Sequence, residues 1–384
     1  MQRTKFDRQM DITRESGIEL LKILAIFLII VSHIVQTLRS ENLYLSYQDY
    51  VLDLSAATTD IQHFILILFS YFGALGDTIF FVCSAWFLLR SSKCNKRKWF
   101  YILFEVWIIS IIILVISYIM MHGNIPVVLI VKSVLPTTFA NNWYLTCYLL
   151  FYPIHPILNK LINCLDKTTL FRLSSAMFVL YCCFAFIKTD VFFVSPIILW
   201  ITVYFVTAYI QLYMGNFAGS LKKNIVLLIL GIVGFVGFAA VVDILGLHIP
   251  FLKERMLYWV SIKNPFLLAV TIALFNMVRK IHFKSALINY ISGLAMLIYI
   301  IHENIILRTY FRPYMVIYVY KTYGYNNIIF WVLVMAAFVF LFSVLCSIVY
   351  DKTLRRLVKA ISDFLYSVLK KIYLRAECNA LKCD

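Results

Sequence analysis

Residues 17–33 read GIELLKILAIFLIIVSH, the core of an apolar run over 18–38 that nonetheless holds Glu19, Lys22 and His33. The run has about the 20 residues that a helix needs to cross a hydrocarbon core, and it lacks the period-two alternation of a barrel strand. It predicts a membrane helix, and the rest of the chain repeats the pattern. Of the 384 residues, 62% are hydrophobic and 14% are Asp, Glu, Lys or Arg, against about 45–50% and about 25% in soluble domains. Mean hydropathy is +0.87. With 32 Phe, 25 Tyr and 7 Trp a disordered chain is excluded. The fold class is an all-α polytopic membrane protein.

Further apolar runs cover 70–89, 99–121, 142–162, 169–187, 191–213, 224–245, 264–280, 286–307 and 326–350. Together they predict ten transmembrane helices in one membrane domain, 18–350. A polar N-terminal tail (1–17) precedes it, and a basic amphipathic tail (351–384) follows. The fourth run carries Pro153 and Pro156, which predict a kink. The segment 39–62 reads as an outer loop with some amphipathic helix. If the N-terminus is inside, 25 of the 35 basic residues fall in inner segments and nine in outer loops, with Lys22 inside the first span. That bias places both termini in the cytoplasm.

The same sorting explains the net charge of +16 without nucleic acid. In the tail, Leu354, Leu357, Ile361, Phe364, Leu365 and Leu369 recur at helical spacing among Lys and Arg, as in a helix held on an anionic inner leaflet. The nine cysteines lie mostly in apolar runs, show no metal spacing and read as small hydrophobes. No metal constellation and no nucleotide-binding loop is visible.

Ionisable groups inside spans are costly, so each is a functional candidate. Lys22 and His33 are eleven residues apart, which puts them within about 20° of each other around the helix and about 16 Å apart along it. Glu19 stands one turn before Lys22. Two readings fit Glu19 and Lys22: an ion pair at the inner interface with a snorkelling lysine, or a lining for a substrate path. His33 is too deep to be an interface residue. By the same topology, Asp77 early in the second span, Asn141, Asn142 and Trp143 opening the fourth, and His302 with Glu303 late in the ninth all share the outer half with His33. Asp77 either orients an imidazole or bonds a neighbouring helix. Trp143 either stacks on a sugar or anchors the interface. Glu105 reads as a local partner of Arg97 or Lys98, Ser84 as a helix-packing residue, and His155 as filling the proline kink.

These residues resemble a known family. Glu19-x-x-Lys22, ten residues and then His33, with Arg14 upstream, is similar to the opening signature of the integral membrane acyltransferases of acyltransferase family 3. Phe80-Phe81-Val82-Cys83-Ser84-Ala85-Trp86 resembles that family's Phe-Phe-x-x-Ser-Gly motif. Asn142-Trp143-Tyr144-Leu145 resembles its mid-chain box, and Tyr299-Ile300-Ile301-His302-Glu303-Asn304 matches patterns of its bacterial surface-polysaccharide branch. The chain departs at Lys22 (commonly arginine), Glu19 (commonly aspartate) and Ala85 (commonly glycine).

The resemblance implies transfer of an acyl group, usually acetyl, from cytoplasmic acyl-CoA to a hydroxyl of a surface polysaccharide or its lipid-linked precursor. The setting it implies is a bacterial plasma membrane. No cofactor is held permanently; acetyl-CoA is a donor substrate. The partners implied are the bilayer, acyl-CoA and a glycan acceptor, and a homo-oligomer is compatible with the sequence. Within that frame His33 is the general base or a transient acyl carrier, with Glu19, Asp77 and His302 as further catalytic candidates. Arg14 and Lys22 are donor-binding candidates, and Asn142, Trp143 and Glu303 acceptor-binding ones. The competing reading is a glycan exporter or ion-coupled transporter, since intramembrane Glu, Lys and His also serve ion coupling.

Overall fold

The computed structural model describes residues 16–38, 60–187, 195–246, 248–249, 251–252, 259–324 and 326–380. Arg14 and most of the 39–62 loop lie outside them. Helices α1 (Ser16–Leu38), α2 (Asp60–Leu88) and α3 (Lys96–Met120) are followed by the short α4 (Val127–Val134) and by α5 (Trp143–Cys164). Helix α6 (Lys167–Phe178) continues through a π turn, Val179–Phe184, to Ile187. Then come α7 (Pro196–Tyr213), α8 (Leu221–Gly246) and α9 (Pro265–Val278). The chain closes with α10 (Ala286–Gly293), α11 (Ala295–His302), α12 (Arg312–Tyr323), α13 (Ile328–Thr353) and α14 (Arg355–Ala380). No strand occurs among the described residues.

Among the described residues, seven helices are long and apolar enough to cross a membrane: α1, α2, α3, the α6 rod, α7, α8 and α13. Three of the ten expected spans depart from that form. Helix α9 is apolar but has 14 residues. Helix α5 is diluted by polar groups, and the expected span 286–307 is split at Leu294 and ends at His302. The second span starts ten residues earlier than its apolar run, because Gln62 and His63 hide the first turns. Helix α12 falls where the sequence reads as an outer loop.

Helix α1 is the axis of the bundle. One apolar cluster joins its Ile18, Leu21 and Ala25 to Phe81, Phe151, Trp200 and Tyr204. A second joins its Ile26, Ile30 and Ile34 to Val106, Ile298 and Val332. Ser16, Glu19, Ser32 and Thr37 of α1 are therefore enclosed by protein, with Lys22 and His33 half-buried. In hydrocarbon, helices gain little from apolarity and associate through close packing at small residues. Gly73 lies where an added Cβ would stand 2.7 Å from Ser32 Oγ, and at Gly76 it would stand 2.5 Å from the Ala25 carbonyl. These contacts set α1 and α2 antiparallel and backbone to backbone.

Helix α5 runs unbroken through both prolines. Pro153 and Pro156 lack the N–H groups that would bond the carbonyls of Leu149 and Tyr152. Trp99 of α3 donates its Nε1–H to the Leu149 carbonyl at 2.7 Å, and His155 Nδ1 meets the Tyr152 carbonyl. His155 is thus the proline filler that the sequence suggests.

The tail forms a helix, α14, that docks on α3. Val358 and Ser362 are buried, Tyr366 packs on Phe100, and Arg97 Nε meets Asp363 Oδ1 at 2.5 Å. Leu354, Leu357, Ile361, Phe364, Leu365 and Leu369 stay exposed.

Candidate active site

His33, the last polar group of the sequence signature, lies near the end of α1, and the residues that meet it come from the α11–α12 connection. Helix α11 stops at His302, and Glu303 takes its C-cap position. Beyond it the Asn304 side chain accepts from the Ile306 N–H at 3.0 Å, and the chain folds back through the π turn Leu307–Phe311. The fold-back brings two guanidinium groups onto one carboxylate. Arg308 Nη1 donates to Glu303 Oε1 at 2.8 Å, and Arg312 Nη2 to Oε2 at 3.0 Å. Arg312 also donates to the His302 carbonyl at 2.8 Å.

The same Oε2 stands 2.8 Å from His33 Nδ1. Glu303 and Arg312 are buried, whereas the His33 side chain keeps 15% exposure and stays reachable. The His302 ring lies 5.6 Å from that of His33. Its Nδ1 is 2.8 Å from the Ile298 carbonyl. A carbonyl only accepts, so that nitrogen carries the proton and the unpartnered Nε2 is a bare acceptor.

The structure thus brings His33, His302 and Glu303 together. The carboxylate facing His33 is Glu303, expected as an acceptor-binding residue, and not Asp77, one of whose two readings is to orient an imidazole. Glu19 sits about 21 Å from His33 along α1. It is buried, paired with Lys22 Nζ at 2.8 Å and bonded by Ser292 Oγ. Asp77 follows Gly76, which abuts Ala25 and Ile29, so it lies one to two turns deeper than His33. Trp143 packs against Phe81 and Tyr144, and the buried Asn142 leaves its Oδ1 without a partner. Neither touches the histidine pair, but the next residue, Tyr144, reaches Tyr299, whose ring lies 5.5 Å from His302. Arg308 and Arg312 carry no motif of their own, and the sequence reading leaves them in a loop. Glu105 faces Arg355 at 3.5 Å and accepts from Tyr101, instead of pairing with Arg97 or Lys98.

The expectation of no metal constellation needs one amendment. Ligand-type atoms of His33, His302 and Glu303 lie within 4.8 Å of one another. Two guanidinium charges already occupy that carboxylate, so a divalent cation there meets strong repulsion.

A cavity of about 380 Å³ runs beneath the site. Lys22, Lys98 and Arg355 line it at one end, and Asp77, Tyr144 and Tyr299 further along. It passes Ile29 of α1, one helical turn short of His33.

An imidazole backed by a carboxylate inside a helical membrane bundle, above a cavity, is the apparatus of proton-assisted group transfer. The chain belongs to acyltransferase family 3: the family model described as an acyltransferase domain matches residues 15–351. The protein is a membrane acyltransferase. No curated protein and no solved structure matches the chain.

Proposed function

We propose that the protein moves an acyl group, acetyl in the simplest case, from cytoplasmic acyl-CoA to a hydroxyl of a surface polysaccharide or its lipid-linked precursor in a bacterial plasma membrane. The observation that carries this reading is the 2.8 Å approach of Glu303 Oε2 to His33 Nδ1. The charge of the carboxylate favours the proton on Nδ1 and leaves Nε2 as the base. Nε2 takes the proton of the acceptor hydroxyl while its oxygen attacks the thioester carbonyl. The C–S bond then breaks, and the CoA thiolate leaves with that proton. Glu303 stabilises the imidazolium formed in between, as the second carboxylate-type partner does in hydrolytic triads. His302, with its bare Nε2, is placed to accept a hydrogen bond from the acceptor.

The donor side of the proposal rests on the cavity. Its cationic end at Lys22, Lys98 and Arg355 suits phosphates, and its aromatic walls suit a slender uncharged arm. In this reading Lys22, with Glu19 holding it, lines the donor path, and Asp77 borders the arm. Asn142 and Trp143 support the acceptor side through Tyr144.

The test is the O-acyl content of surface glycan in a strain lacking the gene, complemented with wild type or His33→Ala at matched membrane levels. Restoration by wild type alone supports the proposal. Restoration by both removes His33 from the chemistry, and restoration by neither favours a glycan exporter.

A further inference from the structure

We propose that the cleft between the start of α3 and the tail helix α14 binds the phosphate groups of the acyl-CoA donor, with Arg355 at the neck leading inward. The inference rests on the acyl-CoA reading above and adds to it a head-group site. Arg355, Arg356 and Lys359 of that site lie beyond the family-matched stretch 15–351.

The cleft has a volume of about 800 Å³. Arg97 and Lys98 of α3 and Lys352, Arg355, Arg356 and Lys359 around the α13–α14 junction supply six cations. Asp351 and Asp363 are the carboxylates in its wall, and both are engaged. Asp363 meets Arg97 at 2.5 Å, and Asp351 meets Arg355 at 2.7 Å. Lys352 lies over the Tyr290 ring at 5.3 Å. Lys98, Arg356 and Lys359 are exposed, so the cleft carries a net positive charge even after both acids are counted. Bonds from Arg and Lys to phosphate are among the stronger charge-assisted contacts.

Three residues, Lys98, Tyr101 and Arg355, line both this cleft and the inner cavity. The two spaces therefore meet at one neck. There Arg355 is tied to Asp351 and faces Glu105 at 3.5 Å. A ligand that matches the pair of spaces has a multiply charged anionic head and a thin uncharged arm with its reactive end inside. An acyl-CoA has that form. An anionic lipid offers the same phosphate chemistry, but its chains belong in the bilayer outside the bundle and do not follow the neck inward.

The test uses the full chain in nanodiscs of phosphatidylcholine, with equilibrium binding of CoA and of pantetheine, which lacks the nucleotide and its phosphates. Wild type should bind CoA at least about tenfold more tightly than pantetheine. In Arg356→Glu/Lys359→Glu that ratio should fall to about one or two, and in Arg356→Gln/Lys359→Gln to an intermediate value. The glutamine pair keeps the test open if charge reversal disturbs docking of α14. A ratio unchanged in both folded variants overturns the proposal. Repeating the titrations with phosphatidylglycerol in the disc identifies a lipid site. If the variants alter the response to phosphatidylglycerol and leave the CoA-to-pantetheine ratio as in wild type, the cleft serves head groups and the proposal falls. Absence of CoA binding by wild type overturns the acyl-CoA reading itself, a result distinct from binding that survives in the variants.

Discussion

Glu303→Gln separates what the carboxylate does for His33 from what it does for the fold. Glutamine keeps the shape and one acceptor oxygen but removes the charge shared by His33 at 2.8 Å, Arg308 at 2.8 Å and Arg312 at 3.0 Å. Arg308 is 40% exposed and turns to water, whereas Arg312, 5% exposed, cannot. An orphaned buried charge costs about 3–5 kcal/mol, and the retained amide oxygen puts this case near 3. The chemical loss is separate: without the carboxylate the imidazolium is not stabilised, and base assistance is worth about 10²–10⁴-fold. That stabilisation arises only as the proton moves, so kcat and kcat/KM should fall together while the KM for acyl-CoA holds. The assay is acyl transfer in membranes, normalised to folded protein, with a thermal melt of the same preparation. Glu303→Gln/Arg312→Met removes the orphaned charge and should recover most of the stability and none of the rate. A single variant within about threefold of wild type, or a double variant that regains activity, would refute the role given to Glu303.

Four further outcomes follow from packing and capping. Gly76→Ala should destabilise the bundle by about 1–3 kcal/mol, because its Cβ would meet the Ala25 carbonyl at 2.5 Å and Ile29 Cγ1 at 2.6 Å. Gly237→Ala, with nothing within 4 Å, should be neutral or stabilising in the same melt. Trp99→Phe should cost about 1–3 kcal/mol by leaving the Leu149 carbonyl unpaired, and a melt equal to wild type would contradict the bond. Asp166 caps α6 by accepting from the Thr168 and Thr169 N–H groups, and hydrogen bonding from the Thr169 side chain together with these N–H groups holds its carboxyl below the usual carboxylate range. The cap's contribution is therefore complete above that range and is lost as pH falls through the lowered value. Protection factors at the first turn of α6, that is, exchange rates corrected for the intrinsic pH dependence, should fall on acidification in wild type and show no such step in Asp166→Asn.

The sequence marked His33, His302 and Glu303 by depth, because depth follows from residue counts along each span. It did not pair them, because which faces of two helices meet depends on how their side chains interlock. Asp77, which reads either as orienting an imidazole or as bonding a neighbouring helix, lies deeper, and Glu303 is the carboxylate that meets His33. Arg312 was hidden for another reason: a helix mixing Tyr, Lys and Arg after a proline has no apolar periodicity to announce it. The break at Leu294 likewise has little local signal beyond Gly293. By contrast, the polar face of α1 was fully legible, since an uninterrupted apolar run makes every charge in it conspicuous.

Pro153 of α5 also acts as a ruler. By releasing the Leu149 carbonyl it creates, at one fixed depth, a demand that the Trp99 indole meets. Sliding α3 past α5 by a single residue would strand that carbonyl in hydrocarbon. The indole therefore sets the height at which α3 stands, and with it the height of its neighbours Lys98 and Tyr101. A substitution at Pro153 would act at a distance: it would let α3 drift and move the threshold through which a donor would pass.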